Sequence, residues 1–224
     1  MLWVLLSLAL AGTAEDVTTS ASRDLPIEAR QEAFARLVAA AKVDELVTIG
    51  KNLDRPVAER WVAVRALGPI PTLEARQALV AFMSSADVWA RIASVTAIGE
   101  RGDVTLAGKV ATHLNDDAIL VRAAAAETLR QLHDPGTLGD LERALQDPTG
   151  WYRGTSLWIR RKYVEAMAAT GREAAPYPAR ALDDKDPVTA AAALKGLETI
   201  AGFSYHEGRS PAEEKEAWRR WAGK

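Results

Sequence analysis

The chain has 224 residues, a formal net charge of −2, 48% hydrophobic residues and only 6% aromatic residues. Abundant alanine with few aromatic and β-branched residues argues for close-packed helices and against a β-sandwich, and the near-neutral charge points neither to nucleic acid nor to an acidic solvating tail. No cysteine is present, which excludes disulfides, thiolate metal sites, a cysteine nucleophile and a cysteine-attached lipid.

The chain opens with MLWVLLSLALAGTAED, apolar from Leu2 to Ala11 and then small and acidic. About ten apolar residues are too few to cross a bilayer core of roughly 30 Å as a helix. Small residues stand at signal-peptidase spacing, either at Ala9 and Ala11 or at Gly12 and Ala14. Residues 1–14 therefore read as a secretory signal peptide. That places the protein in an exported compartment, periplasmic or secreted, with no membrane insertion after removal of the leader. No Lys or Arg precedes the apolar run, so an uncleaved N-terminal membrane anchor is the alternative. Residues 15–23, EDVTTSASR, are polar and lack a period, and read as a flexible tether.

From Asp24 onward the sequence is periodic. A helix predicted over residues 24–41 carries Ile27, Phe34, Leu37 and Val38 on one side, with Pro26 in its first turn. Helix pairs follow at 44–52 with 56–67, 73–83 with 88–98, 104–114 with 118–132, 138–145 with 157–169, and 173–182 with 188–201. Gly or Pro closes each of them, and there is no strand signal. Arg60, Arg91 and Arg122 fall 31 residues apart, as do Leu67, Ile98 and Leu129. Such a period marks stacked repeats, none of which can bury its apolar face alone. The 24–41 helix sits at the second-helix position of a unit whose first helix is missing, a half-repeat cap. The expectation is one all-α solenoid over residues 24–202, with about five repeats plus that half-repeat.

A polar pattern repeats with the apolar one: an acid in the turn stands six residues before an arginine, as in Asp54 and Arg60 or Asp116 and Arg122. Ser85 takes the acidic place before Arg91, seven extra residues separate Asp147 from Arg160, and Ala190 replaces the arginine after Asp184. This pattern resembles the HEAT family of helical repeats in its short, phycobilisome-lyase-like form. The resemblance covers residues 24–202 and implies an α-solenoid, a right-handed superhelix with first helices convex and second helices concave. It further implies an Asp–Arg ladder of hydrogen bonds between repeats, formed here by Asp54, Arg60, Arg91, Asp116, Arg122, Asp147 and Arg160. A planar guanidinium can bridge turn carbonyls and a carboxylate together. The substitutions at Ser85 and Ala190 put the ladder in question at those two junctions.

Catalytic chemistry finds little purchase. Of three histidines, His113 and His133 have no second histidine at i+3 or i+4. His206-Glu207 resembles the iron-ligand dipeptide of HEAT-built deoxyhypusine hydroxylases, but those enzymes use several such dipeptides and this chain has one. No glycine-rich phosphate loop, nucleophile elbow or His-Glu-x-x-His occurs, and acids such as Asp116 and Asp117 stand at helix starts, where capping accounts for them. No catalytic, cofactor or metal residue is assigned.

The period breaks once, between Asp147 and Arg160. PTGWYRGTSLWI brings Trp151, Tyr152, Arg153 and Trp158, followed by Arg161 and Lys162. Insertions in solenoids map to one face, and aromatic and arginine side chains favour interfaces. These six residues either dock an acidic partner or fold back over the fourth repeat. Residues 203–224 leave the period. Ser210-Pro211 starts a helix, and Phe203, Tyr205, Trp218 and Trp221 read as a C-terminal cap. The favoured function is a non-catalytic scaffold, not an enzyme, that binds another protein or peptide and no nucleic acid. The alternative is a HEAT-type enzyme or enzyme accessory, lyase-like, with a ligand in the concave groove.

Overall fold

The computed structural model describes residues 12–223. They form helical hairpins in two units, residues 12–101 and 102–223. In the first, α1 (Thr13–Ala21) pairs with α2 (Ile27–Ala40), α3 (Val43–Lys51) with α4 (Val57–Ala66), and α5 (Leu73–Met83) with α6 (Val88–Arg101). In the second, α7 (Ala107–Ala111), flanked by 3-10 turns, pairs with α8 (Ile119–Leu132). There α9 (Leu138–Gln146) also pairs with α10 (Ile159–Ala169), and α11 (Pro176–Arg180) with α12 (Pro187–Ala201). Helix α13 (Pro211–Ala222) lies against α11. The all-α repeat architecture is as the period predicts.

Two expectations at the N-terminal end are corrected. The polar stretch 15–23 is no tether, because α1 occupies most of it and buries Thr13, Asp16, Val17 and Ser20 against α2 and α4. Those four fall at i, i+3, i+4 and i+7, one face of a helix. Three of them are polar, which hides the pattern from a hydropathy reading. Asp16 can be buried because Arg36 on α2 donates to its Oδ1 from both Nε and Nη2, at 2.9 and 2.6 Å. Accordingly α2 is the second half of a complete hairpin, not a half-repeat. A leader ending at residue 14 would cut inside α1, and the apolar run 2–11 lies outside the described residues.

Small side chains set the spacing inside each unit. Ala63, Ala66, Ala93 and Ala97 are buried in the first unit, and Ala125, Ala126, Ala166 and Ala193 in the second. Larger residues fill between them: Leu37, Leu46, Leu67, Leu79 and Ile98 in one, Leu114, Leu129, Leu141, Tyr163 and Leu197 in the other. At Gly196 the approach of α12 to α10 is tightest, since a Cβ there would stand 2.7 Å from that of Ala168. The turns carry their own caps. Asp186 accepts from the N–H groups of Val188 and Thr189 at the start of α12, Gly202 ends that helix at φ 76°, and Ser210 with Glu213 forms a capping box on α13.

The arginines do form inter-repeat links, and at Arg60 and Arg160 the carboxylate lies further along the chain than the turn acid. What each takes from its own turn is main chain. Arg60 Nη1 donates to the Arg55 carbonyl at 2.5 Å, Arg91 Nη1 to Ser85 at 2.8 Å, and Arg122 Nη1 to Asp116 at 2.9 Å. Arg160 donates to the Leu145 carbonyl from Nε and Nη2. The serine at 85 is therefore no defect, because its carbonyl serves as well as that of an aspartate. The carboxylate comes from the following repeat. Arg60 Nε reaches Asp87 Oδ2 at 3.1 Å, and Arg160 grips Asp184 in a two-pronged bond of 2.8 and 2.7 Å. Asp54 is not the carboxylate that Arg60 uses, and it lies exposed. The loss of an arginine at Ala190 leaves Asp184 engaged by Arg160.

Arg160 is 4% exposed, so its guanidinium relies on these partners. Asp184→Ala and Arg160→Ala should each lower unfolding free energy by about 2–4 kcal/mol, since removing one member strands the other. Their double variant should cost clearly less than the sum of the two in denaturant titrations. Strict additivity would break the link.

Candidate functional site

The second helices of neighbouring hairpins pack side by side, α4 on α6, α8 on α10 and α10 on α12. The α2–α4 junction departs from this: α4 sits more closely on α1 than on α2. The gap is a groove of about 460 Å³, lined by Ile27, Phe34 and Ala35 from α2, Trp61 and Val62 from α4, and Ser20 from α1. Ile27 is 58% exposed at its edge. Trp61 meets Trp89 of α6 edge-on at 6.4 Å, and Trp89 is itself exposed, so the aromatic wall continues onto the next helix. Trp61 is thus a lining residue of the groove.

Two arginines border this apolar floor. Arg30 donates from Nε to the Ser20 carbonyl at 3.3 Å. Arg65 is ion-paired with Glu100 through Nη2, while its Nε is buried with no hydrogen-bond partner among the described residues. The groove thus combines apolar and aromatic walls with positive charge, and Gln31 supplies a further polar edge. The sequence placed Ile27 and Phe34 on one side of a helix but did not disclose the groove, which arises from how α4 leans on α1, a helix read as tether. A second groove, of about 400 Å³, runs over α8, α10 and α12 between Arg130, Glu165, Lys195 and Thr199, with a floor of alanines and Gly196. Its Arg130 is bonded to Glu127.

The insertion is a small β-hairpin, which corrects the expectation of no strands. Asp147 accepts from the Thr149 N–H and hydroxyl and holds a 3-10 turn, Pro148–Gly150. Strand β1 (Trp151–Tyr152) then pairs antiparallel with β2 (Thr155–Ser156), turned by Arg153 and Gly154 at φ 50° and 80°. Two central residues with positive φ give the twist that closes a two-residue hairpin. Arg-Gly carries that signal far less visibly than Asn-Gly, and strands this short show no alternation.

The six insertion residues do not act alike. The Arg160 Cζ lies 4.4 Å from the centroid of the Trp151 ring, which so covers the link described above. Tyr152 and Trp158 are 62% and 47% exposed and cover nothing comparable. Arg153 stacks on Tyr152, Arg161 pairs with Glu165, and Lys162 pairs with Glu127. The dense positive charge of the sequence is therefore largely spent within the fold. Ser156 donates to Asp186 Oδ2 at 2.9 Å, tying the hairpin base to the α12 cap. Burial raises the Asp186 carboxyl, but the Thr189 and Ser156 hydroxyls and the Val188 and Thr189 N–H groups outweigh it and hold the group below the ordinary aspartate range.

The tail residues come together as a packed aromatic cluster. Phe203 stacks on Trp218 at 5.6 Å, while Tyr205 and Trp221 meet Trp218 edge-on at 4.8 and 5.4 Å. Arg172 lies over Trp221 and donates to its carbonyl, and Lys215 and Arg219 bind Asp183. His133 donates from Nδ1 to the Ala169 carbonyl at 2.7 Å, a link between the ends of α8 and α10. His206 lies 3.6 Å from Glu214. Among the described residues, no three His, Asp or Glu side chains are grouped so as to hold a metal ion.

No family model matches the sequence, and no curated protein matches it either. Among solved structures, human deoxyhypusine hydroxylase in complex with glycerol is similar over 99% of this chain and 99% of its own, at 16% identity and a TM-score of 0.42. Phycocyanin lyase from Nostoc sp., a complex of CpcE and CpcF, is similar over 93% of this chain and 94% of that one, at 18% identity and a TM-score of 0.33. Both carry the names of catalytic activities. The expectation of a non-catalytic scaffold that is not an enzyme is corrected on that finding. Likeness at this level assigns neither activity to the chain. The Nostoc structure is itself a complex of two proteins.

Trp151→Ala should lower stability by about 1–2 kcal/mol, from lost packing and the cation–π contact. Tyr152→Ala and Trp158→Ala should stay within about 0.5 kcal/mol. Equal losses at all three would mean that the whole insertion is structural. The depressed Asp186 carboxyl contributes stability that is complete above the unfolded aspartate value of about 4, and is lost as pH falls through its lower folded value. Acid titration of tryptophan fluorescence should show the hairpin loosening in that window, and Asp186→Asn should remove that transition.

Proposed function

We propose that the chain is an enzyme or enzyme accessory, lyase-like in the broad sense, that holds a ligand in the groove between α2 and α4. The observation that carries this reading is the coincidence of exposed apolar walls with two arginines at one widened junction. An apolar body would replace water over Ile27, Phe34, Trp61 and Val62, where each Å² removed from solvent contributes roughly 25 cal/mol. An anionic end would meet Arg30 and Arg65 at the border of the groove. The ligand is thus an amphipathic anion with a flat or elongated apolar part. The described lining residues include no histidine, aspartate or glutamate. The groove's contribution is therefore orientation, with the reacting group presented at its open side, where a protein substrate or a partner enzyme reaches it. The comparatively well-bordered floor of this junction favours it over the alanine-floored groove on α8, α10 and α12.

The test uses a probe of that chemistry, anilinonaphthalene sulfonate, read by its fluorescence and by quenching of tryptophan. Arg30→Glu with Arg65→Glu should weaken binding about tenfold or more, equal to about 1.4 kcal/mol. Trp61→Ala should weaken it similarly, and Lys195→Glu, in the second groove, should leave it unchanged. Undiminished binding by the folded double variant would sink the α2–α4 groove as the site.

A further inference from the structure

Helix α1 bears differently on the two bonds at which the sequence offers a leader cleavage. Small residues occupy positions −3 and −1 of two candidate bonds, after Ala11 and after Ala14. The two have different consequences for the fold. Gly12 is the N-cap of α1, exposed and extended at φ −75° and ψ 160°, with its carbonyl accepting from the Asp16 N–H at 3.0 Å. Thr13 is buried and its hydroxyl bonds to Glu45 of α3. The Ala14 carbonyl accepts from the Thr18 hydroxyl at 3.1 Å. A cut after Ala14 would delete all three acceptors and donors, together with the first turn of a helix that anchors Asp16 to Arg36. A cut after Ala11 leaves every one of them in place.

We propose that the chain is processed between Ala11 and Gly12, so that the mature protein begins at the N-cap of its first helix. This rests on reading residues 2–11 as an export leader and is independent of the groove. The step is hydrolysis by a leader peptidase that requires small residues at −3 and −1, here Ala9 and Ala11. Water adds its hydroxyl to the Ala11 carbonyl carbon, the bond to the Gly12 nitrogen breaks, and the proton goes to the new amine. A positive amine at a helix N-terminus is mildly unfavourable, and Glu15 and Asp16 in the first turn offset it.

The full chain with a C-terminal tag is to be expressed in an exporting bacterium and the exported fraction taken for intact mass and N-terminal sequencing. The expected first residue is Gly12. A first residue of Glu15, or an intact Met1 in the membrane fraction, would overturn the proposal. Ala11→Phe should retain the leader, whereas Ala14→Phe, on an exposed face of α1, should be processed as before. Continued cleavage of the Ala11 variant at the same bond would count against it. Chains produced directly from Gly12 and from Glu15 add a second readout. The shorter should melt lower by about 2–6 °C, given a loss of one helical turn in a domain of this size. Equal melting would remove the structural reason for preferring the first bond.

Discussion

Three hairpins in this chain are held to their own turns by a buried arginine on the second helix, Arg60, Arg122 or Arg160. A guanidinium has five N–H donors in a fixed plane and cannot shed its charge. Placed at the start of a second helix, it can be buried only if carbonyls and a carboxylate surround it. The main chain of the preceding turn supplies the first, which is why the residue six places upstream can be Asp or Ser without consequence. The next repeat supplies the second, at Asp87 and Asp184. Both carboxylates also accept from N–H groups of their own turns, Trp89 and Asp186. One acid therefore fixes a turn and joins it to the arginine before it, and the register of neighbouring hairpins follows from that.

The same requirement explains where the regular pattern yields. At Arg160 the upstream turn has been replaced by a β-hairpin, yet the arginine keeps its carbonyl at Leu145 and gains Trp151 as a cover. The insertion was accommodated without giving up the link. At the opposite end, Arg30 holds the second-helix position thirty residues before Arg60, but donates to Ser20 at the end of α1. With Asp16 tying α1 to α2 from below, α4 settles on α1, and the ordinary side-by-side contact of second helices opens into a groove. The widened junction is thus a consequence of a changed polar link, and its apolar walls are the face that a regular neighbour would have covered.

How much of this the sequence discloses depends on which atoms do the bonding. The period of Leu67, Ile98 and Leu129 is a side-chain signal and marks the hairpins correctly. The arginine pattern is visible too, but its partners are main-chain carbonyls and, at Arg60 and Arg160, an acid in the following turn, which spacing alone does not pick out. Helix α1 fails for a related reason. Its inner face is Thr13, Asp16, Val17 and Ser20, and only the later arrival of Arg36 makes Asp16 a core residue. The hairpin is missed because its turn rests on positive φ at an arginine, a conformation few sequences advertise. Exposed Ile27 gave no warning, since the groove depends on the packing of three helices and on no local motif.

The tail shows why an aromatic cluster is weaker ground for a site than a groove with fewer rings. Trp218 is fully buried, and three other rings already take its faces and edges. Aromatic recognition of a ligand requires ring faces left open at van der Waals distance from the space a ligand would fill. Here the rings satisfy one another, Arg172 takes the face of Trp221, and Asp183 draws Lys215 and Arg219 onto the same helix. The cluster covers α11 and closes the apolar end of the last hairpin, which has no further neighbour among the described residues. At the α2–α4 junction the balance is reversed: Phe34 and Trp61 are only half covered, Ile27 is open, and the adjoining charge is not fully paired. Unspent surface of both kinds at one place, rather than the number of aromatic residues, is what distinguishes a place for a ligand from a seal.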